Sequence, residues 1–442
     1  NNAESSPYFI HAQSNIMRTK NNRTIFLNLI AGMMVLIAAN AQSQQLNPYP
    51  PSPYPDRVVL NVTQDPATSL AVNWRTHDSI ASGTAEIMIA TSNPLDAAKA
   101  ATVKAKTETV THTGIVANYH SVVFNGLQPA TRYMYRVGNG NYWSEWFHVK
   151  TAGNADDPFS FIYMGDVQQG MRTFWPAVIR EAYAKMPDAK LVMYAGDIVN
   201  RGRNDHEWGE LFYGGSFIHS TIPGMMSPGN HEHADNAQGV NEITALWRPQ
   251  FTLPENGPEG LEETCYYSDI QGVRFISLNS QAIWFGGDGM QKQIDWLENI
   301  LANNPNKWTC VIFHHPVYSV KSNRDNKNLR ENFQPIFNKY KVDLVLQGHD
   351  HAYGRGMEKI PMPDKSGTSP SMYVVSMSGS KMYANDEPLW ADKSGGHVQL
   401  YQLITINGKK LSYRSYTVTG ELFDAFDLIK RKGKNNKFKN LK

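Results

Sequence analysis

"FSFIYMGD" at residues 159–166 and "AKLVMYAGD" at residues 189–197 decide the fold. Each is a nearly continuous apolar run that ends on glycine and aspartate. Unbroken apolar runs of this length suit strands covered on both faces. Between them, "RTFWPAVIREAYAKM" (172–186) spaces its apolar residues at helical intervals. Strand, helix and strand in that order predict a layered α/β domain. The pattern continues downstream. "GMQKQIDWLENILANN" (289–304) reads as an amphipathic helix, and "WTCVIFHHP" (308–316) and "VDLVLQGHD" (342–350) as two more buried strands. From His397 to Ile429 the chain returns to alternation with a "NGK" turn, which predicts strands that extend the sheet. This α/β domain is expected to span 158–430, with central β-sheets flanked by helices.

Upstream, residues 54–151 have a different pattern. Short alternating runs such as "RVVLNVTQ", "SLAVNWRT", "HSVVFNGL" and "TRYMYRVGNG" are separated by turns, giving seven candidate strands. That spacing predicts an all-β antiparallel sandwich. A polar linker, "TAGNADDP" (151–158), separates the two domains.

The chain has 442 residues with a formal charge of +2 and abundant aromatics, 10 Trp, 21 Tyr and 18 Phe. A large core is easily built. The near-neutral balance argues against nucleic acid as the main partner. Met17 opens a basic stretch, an apolar stretch follows, and Ala39-Asn40-Ala41 forms a small-x-small end. Residues 17–41 therefore read as a signal peptide, predicting a secreted or periplasmic protein without a stable membrane anchor. Residues 1–16 read as an upstream, non-native extension. Residues 431–442 read as a basic, solvated tail. Export permits a disulfide, so Cys265 and Cys310 are either one bridge or two buried thiols.

Polar clusters follow the apolar runs: Asp166, Asp197, "GNH" at Asn230 and His231, "HH" at His314 and His315, and "GHDH" at His349 and His351. Sites in open α/β folds lie beyond the carboxyl ends of the strands. The clusters are therefore expected to meet at one rim of a central sheet. Aspartate offers a hard anionic oxygen that can bridge two cations, histidine a neutral imidazole nitrogen, and asparagine an uncharged oxygen. This mixture suits Zn, Mn or Fe. The preceding glycines let the backbone turn sharply close to the cations.

The order GD…GD…GNHE…HH…GHDH resembles the calcineurin-like metallophosphoesterase superfamily. Within it, the chain resembles the purple acid phosphatases with their N-terminal fibronectin-III-like domain. "HSVVFNGLQPATRYMYRVGNG", "GHDHAYGR" and "GELFDAFDLIK" carry that likeness. The resemblance implies that Asp166 and His351 hold a first metal and that Asp197 bridges to a second. Asn230, His314 and His349 would hold the second, and His231 would face the substrate phosphate as a catalytic residue. Two metal ions per chain are implied.

Two positions depart from the family. Asn200 stands where the purple enzymes carry tyrosine, so ferric iron and its colour are in doubt. Gln168 stands where other members carry histidine. Gln168 or Asn200 can supply an amide oxygen, and His315 is expected to pack behind the ligands. Lys321 and Arg324 offer phosphate contacts or belong to a solvated loop. The function expected is a secreted dinuclear-metal phosphoric ester hydrolase, with metal-held hydroxide attacking a phosphomonoester. The alternatives are a phosphodiesterase on nucleotides, lipid headgroups or wall polymers, and a metal-poor, non-catalytic binding protein.

Overall fold

Phe159–Met164, Val192–Ala195 and Gly224–Ser227 lie side by side and parallel in the computed structural model, with Val192 paired to both Ile162 and Gly224. The structure describes residues 47–155, 157–285, 288–362 and 369–441. The expected signal peptide (17–41) and the extension before it lie outside the described residues. All elements below belong to the unit Tyr49–Lys442.

The three parallel strands form the centre of an eleven-stranded sheet. On one side the antiparallel strands Leu400–Asn407, Lys410–Thr417, Leu422–Arg431 and Lys434–Asn440 continue it. A second sheet of seven strands holds Val273–Ser277, Trp308–Ile312, Leu344–Gln347 and Met372–Val375 in parallel. The central β-sheets expected from sequence are thus these two. They face one another across the core, where the Phe161 and Phe275 rings meet edge-on at 5.1 Å.

The second sheet shows why its strands are apolar on both faces. Phe275, Cys310, Ile312, Leu344 and Leu346 point into the core shared with the first sheet. Their neighbours Ile276, Val311 and Val345 point the other way, onto Leu297, Leu329 and Phe337 of the covering helices. Those helices are Asp288–Ala302, Lys327–Asn332 and Gln334–Tyr340. The side-chain period of two leaves no solvent face for a polar residue. Helix Trp175–Lys185 starts with proline in its first turn, where the missing N–H costs nothing. It buries Trp175, Val178, Ile179 and Ala182 at helical spacing. Cys265 and Cys310 are both buried free thiols.

The basic tail is not a frayed end. Lys434–Asn440 is the edge strand of the larger sheet. Its alternation is disguised by lysines. Asn436, Phe438 and Asn440 share one face, on which Asn436 donates to Asp343, Phe438 packs on Phe426 and Asn440 accepts from Arg355. Lys437 and Lys439 point outward, charges that discourage pairing with another chain at an exposed edge.

The N-terminal domain is a sandwich of two antiparallel four-stranded layers. One holds Asp56–Asn61, Leu70–His77, Lys106–His112 and Ile115–Phe124. The other holds Thr84–Ile89, Ala101–Lys104, Arg132–Gly138 and Phe147–Lys150. Val72, Trp74, Ile87, Val122, Tyr135 and Phe147 fill the space between. The domains are not beads on a linker, because Asn61 pairs with Gly224 and makes the first layer part of the eleven-stranded sheet. A buried ion cluster reinforces the join: Asp205 accepts from Arg57 at 2.7 and 2.9 Å and from Arg75 at 3.1 Å.

Candidate metal centre

Five parallel strands end at one place, three from the larger sheet and two from the smaller. Asp166, Asp197 and Asn230 follow Phe159–Met164, Val192–Ala195 and Gly224–Ser227. His314 follows Trp308–Ile312, and His349 and His351 follow Leu344–Gln347. Short turns hold these side chains, and three of them are strained. Asp197, His349 and His351 have φ of 48°, 74° and 49°, a left-handed region costly for residues other than glycine. The glycines permit close approach of the turns. A Cβ on Gly229 would lie 2.2 Å from Asp197 Oδ1.

The six expected side chains converge. His314 Nδ1–H donates to the Ala195 carbonyl at 3.0 Å, which turns Nε2 toward Asp197 Oδ2 at 3.1 Å and Asn230 Oδ1 at 3.0 Å. His349 Nδ1 lies 3.1 Å from Asn230 Oδ1 and 3.1 Å from His314 Nε2. His351 Nδ1–H donates to the Lys381 carbonyl at 2.8 Å, so its Nε2 faces the cluster, 4.0 Å from Asp166 Oδ1. The carbonyl partners set each ring's tautomer and orientation, as outer hydrogen bonds do for metal-binding histidines. Asp166, Asp197 and His314 form one group able to hold an ion, and His314, His315 and His349 a second that shares His314.

The cluster leaves two buried oxygens unsatisfied. Asp166 Oδ1 and Gln168 Oε1 are buried without a hydrogen-bond partner. Orphaned buried acceptors are costly, and a positive ion is a partner that satisfies them. Burial pushes the Asp166 carboxyl well up, and the Asp197 charge adds to this against the His314 imidazole. Burial also pushes Asp197 up, but His314, His231 and His349 outweigh it and hold Asp197 well below the usual carboxylate range. His314 is lowered by burial, yet Asp197 and Asp166 overcome that and raise it to about 9. Burial and the Lys381 ammonium take His351 down to about 3. Burial, then His315 and His314, keep His349 far below the ordinary imidazole value. Neutral imidazoles beside ionised carboxylates are the forms that bind metal.

The remaining expected residues divide. Gln168 joins the cluster, its Nε2 2.8 Å from Asp197 Oδ2 and 3.1 Å from His351 Nε2. Asn200 does not: its side chain turns to Gln169 at 3.5 Å, and its carbonyl is taken up in accepting from His231 Nδ1. His231 is half-buried, with Nε2 3.8 Å from Asp197 Oδ2 and its backbone N–H donating to Asp197 Oδ1 at 3.0 Å. His315 packs behind the cluster, hydrogen-bonded to Ser280, stacked on Trp284 and 4.4 Å from the His349 ring. Asp350 braces its loop by accepting from Ser319, Val320 and Arg324.

Sequence reasoning missed Glu232. Its carboxylate is fully buried and accepts from the backbone N–H groups of Asp197, Ile198, Val199 and Gly229. It thus ties the Asp197 turn to the Asn230 turn. Burial and the Asp197 charge push it up to about 7 against those donors. The only signal was its place in "PGNHEH" (228–233), directly after Asn230 and His231.

Residues 55–151 match the model of the purple acid phosphatase N-terminal domain, and residues 159–353 match the calcineurin-like phosphoesterase model. Mouse acid phosphatase type 7 is 27% identical over 261 residues, covering 53% of this chain and 56% of the relative. The Fe(3+)-Zn(2+) purple acid phosphatase 12 of Arabidopsis thaliana is 28% identical over 250 residues, covering 53% and 52%. This chain thus spans about half the length of these curated relatives. A purple acid phosphatase from yellow lupin (Lupinus luteus) seeds shares the fold with a TM-score of 0.70 at 18% identity, over 85% of this chain and 74% of that one. PhoD also shares it, with a TM-score of 0.65 at 13% identity over 88% and 92%. With the two matched domains in this order along one chain, the protein belongs to the purple acid phosphatase-like branch of the calcineurin-like phosphoesterases.

Proposed function

We propose that this chain is an exported, metal-dependent hydrolase of phosphomonoesters. One observation carries the reading: six donor side chains from five strand ends meet where two buried oxygens, Asp166 Oδ1 and Gln168 Oε1, lack a hydrogen-bond partner among the described residues. Asp166, Gln168 and His351 are assigned to one cation and Asn230, His314 and His349 to another, with Asp197 between them. The set has no tyrosinate and two neutral amides, Gln168 and Asn230, a composition suited to divalent Zn, Mn or Fe. A cation pair supplies charge neutralisation for the phosphoryl oxygens and an acidified water.

The chain's own residues do the rest. His231 Nδ1–H is fixed on the Asn200 carbonyl, leaving Nε2 to carry or accept a proton toward the substrate. That suits hydrogen bonding to the phosphate or protonation of the leaving oxygen. Glu232 keeps the two ligand turns at a fixed spacing. His315 and Trp284 shield the outer face of His349. The sandwich contributes packing.

The export reading rests on residues 17–41. Among the described residues no helix is long and apolar enough to cross a membrane. The test pairs elemental analysis with hydrolysis of p-nitrophenyl phosphate and its bis-ester. Near two metals per chain and preference for the monoester are expected. Preference for the bis-ester would make it a phosphodiesterase. Hydrolysis of neither, with metals bound, would defeat the hydrolase reading, and one metal or none per chain would favour a metal-poor binding protein.

A further inference from the structure

The segment after Met372–Val375 crosses the mouth of the candidate metal centre and is pinned on both sides. Gly379 N–H donates to the Asp166 carbonyl at 2.7 Å, and the Ser380 hydroxyl donates to the Gln169 carbonyl at 3.1 Å. The Lys381 carbonyl accepts from His351 Nδ1 at 2.8 Å, and Tyr383 N–H donates to the His351 carbonyl at 2.8 Å. Lys381 is therefore clamped between the Asp166 and His351 turns by its own backbone and that of its neighbours. Its position does not depend on its side chain.

That side chain is half-buried, and among the described residues its ammonium has no carboxylate or hydrogen-bond partner. The ammonium lies over the face of Tyr383, 6.0 Å from the ring centre, and that ring packs 4.9 Å from His351. The other cations of the surrounding turns are engaged. Arg324 bonds Asp350 at 2.9 Å and the His349 carbonyl at 2.8 Å, and Lys321 pairs with Asp386 at 2.7 Å. Arg201 pairs with Glu207 at 2.7 Å, and Arg203 donates to the Asp235 carbonyl. Neither Lys321 nor Arg324, which the sequence offers as phosphate contacts or as parts of a solvated loop, is free to meet an anion. Lys381 is.

We propose that Lys381 binds an anionic oxygen of the substrate, either on the scissile phosphoryl group or on a carboxylate of the leaving group. This rests on the phosphate-ester reading above. A compact ammonium on a flexible stem suits a point contact with one oxygen. Unlike Arg324 and Lys321, it need not break an ion pair to make one.

The test compares metal-loaded wild type with Lys381→Met, which keeps the stem and removes the charge, and with Lys381→Arg. The probes are phenyl phosphate, 2-carboxyphenyl phosphate and inorganic phosphate, the last measured by titration calorimetry as well as by inhibition. Loss of one charged hydrogen bond should raise KM about tenfold with a much smaller change in kcat. Arginine should recover most of it, and metal content should not move. Weakened phenyl phosphate and inorganic phosphate binding places the contact on the phosphoryl group. An effect confined to the carboxylated ester places it on the leaving group. Unchanged KM for both esters and unchanged phosphate binding would overturn the assignment. If wild type hydrolyses no ester, the phosphatase reading fails, while the calorimetric arm still decides whether Lys381 binds phosphate.

Discussion

Glu232→Gln changes one atom and should dismantle the candidate metal centre. Oε1 accepts from Ile198 N at 2.8 Å and Val199 N at 3.1 Å, and Oε2 accepts from Asp197 N at 2.9 Å and Gly229 N at 2.8 Å. Glutamine keeps one oxygen. Its amide nitrogen turns N–H groups onto two backbone N–H groups, whichever way it rotates. Two buried donors are then orphaned at about 1–3 kcal/mol each, so the cost is roughly 2–6 kcal/mol. Unfolding entropy of a unit this long is roughly 0.8 kcal/mol per degree, so the melting temperature should fall by about 3–7 °C. The second effect is local. Asp197 holds a φ of 48° only because its turn is tied down. Once that turn relaxes, Asp197 and Asn230 lose their relative placement and metal is lost to a chelator. Melting curves and elemental analysis after graded chelation should be run at pH 8, where Glu232, raised to about 7, is ionised. Wild-type melting within a degree, together with wild-type metal retention, would refute the bracing role.

Four further outcomes follow from the same geometry. His314 is raised from an ordinary 6.5 to about 9, so in metal-free protein its contribution to stability is complete below 6.5 and lost as pH rises through 9. Metal-free melting temperature should fall across that window, and loading at pH 7 should release close to one proton from His314, read by calorimetry in buffers of different ionisation heat. Gln168→Leu should remove a donor and lower metal content from near two toward one per chain, whereas Gln168→His should retain it, both read by elemental analysis. His231→Ala should reduce kcat by about 10²–10⁴-fold with metal content unchanged, since a proton-transfer group is removed and no ligand is. Asp205→Asn leaves the buried Arg57 without a carboxylate partner, while Arg75 keeps Asp56, and should cost about 3–5 kcal/mol in thermal unfolding.

Much of the fold was legible from local pattern. Apolar runs ending on Gly-Asp, Gly-Asn-His and Gly-His-Asp-His announced the strands and the six side chains that now stand together. The change of hydrophobic period and composition near 151–158 is likewise a local pattern. These are properties of neighbouring residues, and neighbours are what a sequence displays. The residues that misled did so because their environment is non-local. The lysines of 434–440 hid an alternation of Asn436, Phe438 and Asn440 that has meaning only against Asp343, Phe426 and Arg355.

Gln168 and Asn200 were equal candidates by composition. Only the backbone path shows that one faces the cluster while the other turns to Gln169 and lends its carbonyl to His231. Glu232 drew no assignment from sequence, because the four N–H groups that surround it come from two separate strand ends. By itself the sequence determined the donor types, their order and the strands that carry them, because hydrophobic period and turn chemistry act over a few residues. Tertiary structure alone decided that two sheets share the site, which oxygens are left unsatisfied, and which lysine stands unpaired at its mouth. Those depend on distances between segments far apart in the chain, which are set by packing.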